Sequence, residues 1–184
     1  MDLTDNTINS SYSVRRALIE DAPALSVLIK TSMLSYCADS NISADILEST
    51  HESLDAVKNR IKYNDCLCLC DSSGSIQGTV TLSFTNNPLK YSFSKKSESF
   101  LKNYDKCIYI SRFAVDSSLR GTGLGLMLLN SADDIAKELD YSLFLLHTAL
   151  TNSERCNYYR NRGFEVLDFE SSRGYPRGLF YKTI

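Results

Sequence analysis

The chain of 184 residues carries 43% hydrophobic, 10% aromatic and 23% charged residues, the balance of one ordinary globular domain of roughly 100 to 200 residues and not that of a disordered chain. Twenty Lys and Arg against 22 Asp and Glu leave a formal charge of -2, so no global basic field exists to hold nucleic acid or an anionic membrane. The longest apolar runs, such as the one at residues 25 to 29, fall far short of the ~18 residues of a membrane-spanning helix.

Residues 1 to 11 are polar and unpatterned, which predicts a flexible lead-in ahead of a domain over 12 to 184. The lead-in lacks the cationic start and apolar middle of a secretory signal, so a cytoplasmic location is expected. In that reducing setting Cys37, Cys66, Cys68, Cys70, Cys107 and Cys156 are expected as buried thiols and not as bridges. Alternation from Tyr12 to Ala17 predicts a first strand. Asp21 then stands where a helix N-cap belongs, with Pro23 in the first turn and Leu25, Leu28 and Ile29 at helical spacing. Leu47, Leu54, Val57 and Ile61 share one helical face, predicting a second helix over 43 to 61.

Residues 66 to 70 and 75 to 84 read as strands joined by a turn at Asp71, Ser72, Ser73 and Gly74, an antiparallel hairpin. Residues 86 to 106 form a polar connection far longer than the usual 2 to 5 residues of a hairpin loop, so it is either disordered or functional. Residues 107 to 115 make the strongest strand. A glycine-bearing turn and a helix over 123 to 139 follow, with Leu128, Ala132, Ile135, Ala136 and Leu139 on one face. A strand at 142 to 148 leads to a short helix marked by Thr151 three before Glu154, a capping-box spacing, and stopped at Gly163. Residues 164 to 169 and 179 to 183 close the chain as two strands.

Arg120, Gly121, Thr122, Gly123, Leu124 and Gly125 lie between a strand and a helix, where free backbone N–H groups and the helix dipole favour an anion. A Walker loop is excluded because no Gly-Lys-Ser or Gly-Lys-Thr follows. A dinucleotide fingerprint begun at Gly121 fails because Leu126 stands where glycine is needed. A turn that only lets the helix pack close to the sheet remains open on the glycines alone.

The turn resembles the Arg/Gln-x-x-Gly-x-Gly/Ala signature of the GNAT superfamily of acetyl-CoA-dependent N-acetyltransferases, through Arg120, Gly123 and Gly125, with Val115 five residues before the arginine. Asn152, Tyr159, Gly163 and Phe164 resemble that family's second signature at the matching separation. Arg155 and Ser117 depart from it, standing where a small residue and a proline are common. The resemblance implies an α/β fold: one domain with a mixed, mostly antiparallel central sheet flanked by helices, in the order β-α-α-β-β-β-α-β-α-β-β. It also implies acetyl-CoA as co-substrate, no metal, and direct transfer to a primary amine, with a homodimer as an admissible assembly. The diphosphate would rest on residues 120 to 125 and the pantetheine arm along Phe113, Ala114 and Val115. Asn152 would bond the arm or cap its helix.

Tyr159 would protonate the departing thiolate, or pack as a core ring; a phenol near 10 is well matched to a thiol near 8.5. No general base is named: His147 on the preceding strand, and Tyr109 and Ser111 on the central one, are readable as structure or as a proton relay. Arg173, Tyr175 and Arg177 in the last loop, with Tyr36, would border an acceptor or lie in a solvated turn. Cys66, Cys68 and Cys70 share a strand face but lack the converging fourth ligand and paired turns of a zinc site. The rival to an enzyme is an acyl-CoA-binding sensor or scaffold of the same fold.

Overall fold

The computed structural model describes residues 11–184, so the lead-in at residues 1–11 lies, but for Ser11, outside the described residues. Seven strands form one sheet: β1 (Tyr12–Arg16), β2 (Asp65–Asp71), β3 (Ile76–Thr85), β4 (Cys107–Val115), β5 (Leu143–Ala149), β6 (Glu165–Glu170) and β7 (Arg177–Thr183). Their spatial order is β1-β2-β3-β4-β5-β7-β6. Every pairing is antiparallel except β4 with β5. This is the mixed, mostly antiparallel α/β sheet that the resemblance implies.

The helices are α1 (Ala22–Ser40), α2 (Leu54–Tyr63), α3 (Lys95–Leu101), α4 (Leu124–Glu138) and α5 (Ser153–Arg160). One face of the sheet packs Leu67, Leu69, Val80, Leu82, Ile108 and Ile110 against Leu124, Leu128, Ala132 and Ala136 of α4. On the other face, Cys68 and Cys70 bury against Ala22, Leu25 and Ile29 of α1 and Val57 of α2. All six cysteines are buried and unpaired, and burial pushes the Cys68 thiol up to about 12. They behave as small apolar side chains there. Among the described residues no helix is long and apolar enough to cross a membrane, and no cluster of three His, Cys, Asp or Glu could hold a metal ion.

Four local readings are corrected or narrowed. Asp21 takes the N-cap position of α1 without a side-chain cap bond: its carboxylate accepts both Arg15 Nη groups, at 2.6 and 2.9 Å, and the Leu18 N–H at 2.7 Å. The helix expected over 43 to 61 forms only from Leu54, where Ser53 Oγ accepts the Ala56 N–H at 3.2 Å. Before it, Thr50 Oγ1 donates to the carbonyls of Ala44 and Leu47 at 2.7 Å each. Such side-chain bonds compete with helical ones, and the segment folds as two 3-10 turns, Ala44–Ile46 and Glu48–Thr50. Thr151 does not cap α5; its hydroxyl donates to the Ser40 carbonyl at 2.6 Å, and Asn152 Oδ1 accepts the Arg155 N–H at 2.9 Å instead.

The long connection, expected as either disordered or functional, is the fourth. It is ordered, with a 3-10 turn at Pro88–Tyr91 and then α3. Ser94 and Ser97 both donate to Asp168 Oδ2 on β6, at 2.6 Å each. Leu101 is buried among Leu143, Leu145, Leu167 and Leu179. The connection therefore covers the sheet over β5, β7 and β6, and its Tyr91 and Phe93 stack against Tyr109 and His147.

Candidate functional site

The site arises where β4 and β5 separate. They pair only at Ile108↔Phe144 and Tyr109↔Leu145. Beyond that, β4 carries one residue more than β3 between the pairs Thr79↔Ala114 and Thr81↔Ser111, a bulge that bends the strand away. Arg112 takes φ +50° there, in a region where a non-glycine residue is uncommon. Its guanidinium is held by Glu52 at 3.2 Å, and the same carboxylate pairs Arg60 from α2. Asp116 N–H donates to Gln77 O at 2.8 Å. Strand alternation then aims the peptide edges of Phe113 and Val115 at the gap and that of Ala114 at β3.

Two cavities open along this gap. The first, about 360 Å³, is lined by Phe113, Val115, Arg120, Gly121, Gly123, Gly125 and Asn152, seven of the residues singled out from sequence. Ala114, Thr122 and Leu124 do not line it: Ala114 and Leu124 are buried, and Thr122 Oγ1 donates to the Leu119 carbonyl at 2.6 Å. Gly121 and Gly123 adopt φ of +79° and +84°, and Gly123 is the N-cap of α4. The N–H groups of Gly121, Gly123, Leu124 and Gly125 have no acceptor among the described residues, as the open end of a helix requires. Arg120 ties the turn to α1, donating to Ser35 Oγ at 2.9 Å beside Asp39 at 3.8 Å.

Sequence reading missed Asp39, Glu154, Tyr158 and Arg162 in this cavity, and Arg155, noted there only as a departure from the signature, lines it too. Tyr158 Oη is buried without a hydrogen-bond partner, and the Arg162 guanidinium stacks 3.4 Å over its ring. Burial pushes the Tyr158 phenol up to about 12. The available signal was an arginine four residues after an aromatic, across the C-terminal end of α5, a spacing that lets the two stack. Of the two jobs weighed for Asn152 the capping one is seen: its Oδ1 caps α5, while its Nδ2 donates to Ser40 Oγ at 3.2 Å.

The second cavity, about 190 Å³, is floored by Tyr109, Ser111, His147 and Tyr159 and rimmed by Arg173, Tyr175 and Arg177. Phe113 and Arg155 line both cavities. Tyr159 is 5% exposed, ringed by Phe113, Tyr158, Phe164 and Phe180. Burial raises its phenol, with Arg155 opposing. Tyr36 lines the cavity, but its hydroxyl is occupied: it accepts the Ala149 N–H at 2.6 Å and faces Thr148 Oγ1 at 3.3 Å.

Tyr109 Oη lies 2.9 Å from His147 Nδ1. Tyr91 stacks on Tyr109 at 4.2 Å and Phe93 on His147 at 4.8 Å, so the 86–106 connection walls this floor. Burial, with Arg177 and Arg173, pushes the His147 imidazolium down to about 3. In the unfolded chain it titrates near 6.5, so between these values the unfolded state binds more protons and stability falls as the pH drops. The melting temperature of the wild type should therefore decline more steeply from pH 6.5 towards 4 than that of His147→Gln. Parallel declines in thermal melts would refute this assignment.

A model of the acetyltransferase (GNAT) family matches residues 36–164. Among curated proteins no sequence match reaches significance. Solved structures share the fold: a PaiA N-acetyltransferase from Thermoplasma acidophilum, solved with coenzyme A, is 20% identical with a TM-score of 0.73, over 95% of this chain and 99% of its own. A GNAT-family acetyltransferase from Streptococcus agalactiae is 13% identical with a TM-score of 0.73, over 94% of this chain and 95% of its own. One from Listeria monocytogenes is 18% identical with a TM-score of 0.68, over 94% and 95%. As the family model covers well over half of its residues, the chain belongs to the GNAT acetyltransferase family.

Proposed function

We propose that the protein moves an acetyl group from acetyl-CoA directly to a primary amine of a small molecule, in a ternary complex within the cytoplasm. The observation that carries this reading is the meeting of two cavities at Phe113 and Arg155, with Tyr159 on the floor of one of them. The first cavity fits the cofactor: it offers unpaired N–H donors at the glycine turn and an unpartnered Tyr158 hydroxyl. The PaiA relative carries coenzyme A. Six unpaired thiols suit a reducing compartment.

Acetyl-CoA supplies an acetyl thioester. The N–H groups of Gly121, Gly123 and Gly125 would hold its diphosphate, with Asn152 and the free edge of Phe113 and Val115 along the pantetheine arm. Of the β4 amides, those of Phe113 and Val115 face the gap, so one of them takes the oxyanion role, worth roughly 3 kcal/mol where such donors have been removed. As the amine nitrogen bonds the acetyl carbon and the carbon–sulfur bond breaks, Tyr159 Oη gives its proton to the sulfur. The proton that the amine loses leaves through water, with the Tyr109–His147 pair as relay; His147 is too weak a base to retain it.

Thiol release from acetyl-CoA, followed across a panel of amines, tests the proposal. Amine-dependent release above the hydrolysis background is expected. Tight acetyl-CoA binding with no release for any amine would replace the enzyme by a binding module.

A further inference from the structure

Four arginines line the second cavity, Arg112, Arg155, Arg173 and Arg177, against one carboxylate, Glu48. Two are already neutralised, Arg112 by Glu52 at 3.2 Å and Arg177 by Glu170 at 2.8 Å. Arg155 and Arg173 have no carboxylate within salt-bridge distance among the described residues. Arg155 also borders the cofactor cavity, whereas Arg173 lines only this one. The chain's overall charge is slightly negative, so this excess of positive charge is local to the cavity.

The loop carrying Arg173 is built and not merely solvated. Glu170 accepts the Ser172 N–H at 2.7 Å, the Ser172 hydroxyl and Arg177 Nε at 2.8 Å. The Pro176 carbonyl accepts the Leu150 N–H at 2.9 Å, and Tyr175 is buried beside Tyr36, Ile42 and Ala149. Arg177 spends its Nε on Glu170, which leaves its two Nη groups unassigned, and its guanidinium lies 5.0 Å over the Phe93 ring. The ordered turn thus carries one unpaired and one half-used guanidinium to the cavity rim. Planar forks of this kind match a carboxylate bidentately. The cavity, at about 190 Å³, is below the roughly 300–1,000 Å³ of a drug-sized pocket, which favours a compact acceptor.

We propose that the acceptor is a small amino carboxylic acid, its carboxylate held at the rim by Arg173 and Arg177 and its amine directed down towards Phe113 and Tyr159. This rests on the acetyl-transfer reading and names the substrate class of that site. The test compares L-amino acids with their carboxamides and with spermidine, for the wild type and Arg173→Gln, by thiol release from acetyl-CoA. Losing a charged hydrogen-bond partner typically changes affinity roughly ten- to hundredfold. The wild type should prefer acids over amides by at least that lower factor, mainly in KM. Arg173→Gln should erase the preference by raising KM for acids at least about tenfold, with a much smaller change in KM for amides, a charge-specific split that a general structural defect would not produce.

Calorimetry of amino acid binding in the presence of coenzyme A separates the two readings. Amino acid binding that Arg173→Gln abolishes, with no thiol release for any amine, keeps the charge reading and removes acetyl transfer. Release with spermidine or carboxamides at rates equal to or above those with amino acids overturns the charge reading and keeps acetyl transfer.

Discussion

Tyr159→Phe is expected to lower kcat by two to four orders of magnitude, the range that a positioned general acid supplies, while the KM for acetyl-CoA changes little. The substitution removes one oxygen and keeps the ring among Phe113, Tyr158, Phe164 and Phe180, so the fold should lose no more than about 1 kcal/mol. The pH profile gives a second reading. Burial raises the phenol above its ordinary 10, so the proton stays on through neutral pH and an alkaline limb due to Tyr159 should lie above pH 10. His147, held neutral down to about 3, should add no limb near 6.5. A Tyr159→Phe enzyme within threefold of wild-type kcat, with normal cofactor binding, would remove the acid role and leave Tyr159 as a packing ring.

The cofactor half of the site was legible because its chemistry is local in sequence. Left-handed glycines at 121 and 123 and an N-capping Asn152 sit within single strand–turn–helix units, where spacing alone fixes geometry. Of the acceptor half the residues were legible, since Tyr36, Tyr109, Ser111, His147, Tyr159, Arg173, Tyr175 and Arg177 all line its cavity, but the packing that assembles them was not. It depends on a bulge at Arg112 that places Glu52 of one segment beside Arg60 and Arg112 of two others, and on Tyr91 and Phe93 reaching across the sheet to stack on Tyr109 and His147. Those contacts join residues tens of positions apart, and no periodicity announces them. The two adjacent tyrosines of α5 show the same limit at short range. A helical step of roughly 100° per residue sends Tyr159 to the acceptor floor and Tyr158 to the cofactor cavity; sequence spacing against a motif singles out only one of them.

Gly125 and Gly123 make opposite demands on an alanine, and this separates cofactor fit from backbone strain. Gly125 is not among the positive-φ glycines, so Gly125→Ala should gain up to about 1 kcal/mol of helix propensity. The new Cβ, however, would meet Tyr158 Oη at 2.9 Å and Phe113 Cζ at 3.1 Å. Neither ring can retreat freely: Tyr158 lies under Arg162 at 3.4 Å and Phe113 beside Tyr158 at 5.7 Å. Overpacking of this kind costs about 1–3 kcal/mol, enough to offset the propensity gain and to displace two walls of the cofactor cavity. Gly125→Ala should therefore melt near the wild-type temperature yet raise the KM for acetyl-CoA about tenfold or more. At Gly123 a Cβ would touch nothing within 4 Å, but φ is +84°, and a left-handed alanine costs about 1–2 kcal/mol. Gly123→Ala should lose that stability in thermal melts made without cofactor. If Gly125→Ala keeps wild-type affinity for acetyl-CoA, the wall formed by Phe113 and Tyr158 is not where the cofactor rests, and the diphosphate must be sought on another part of the turn.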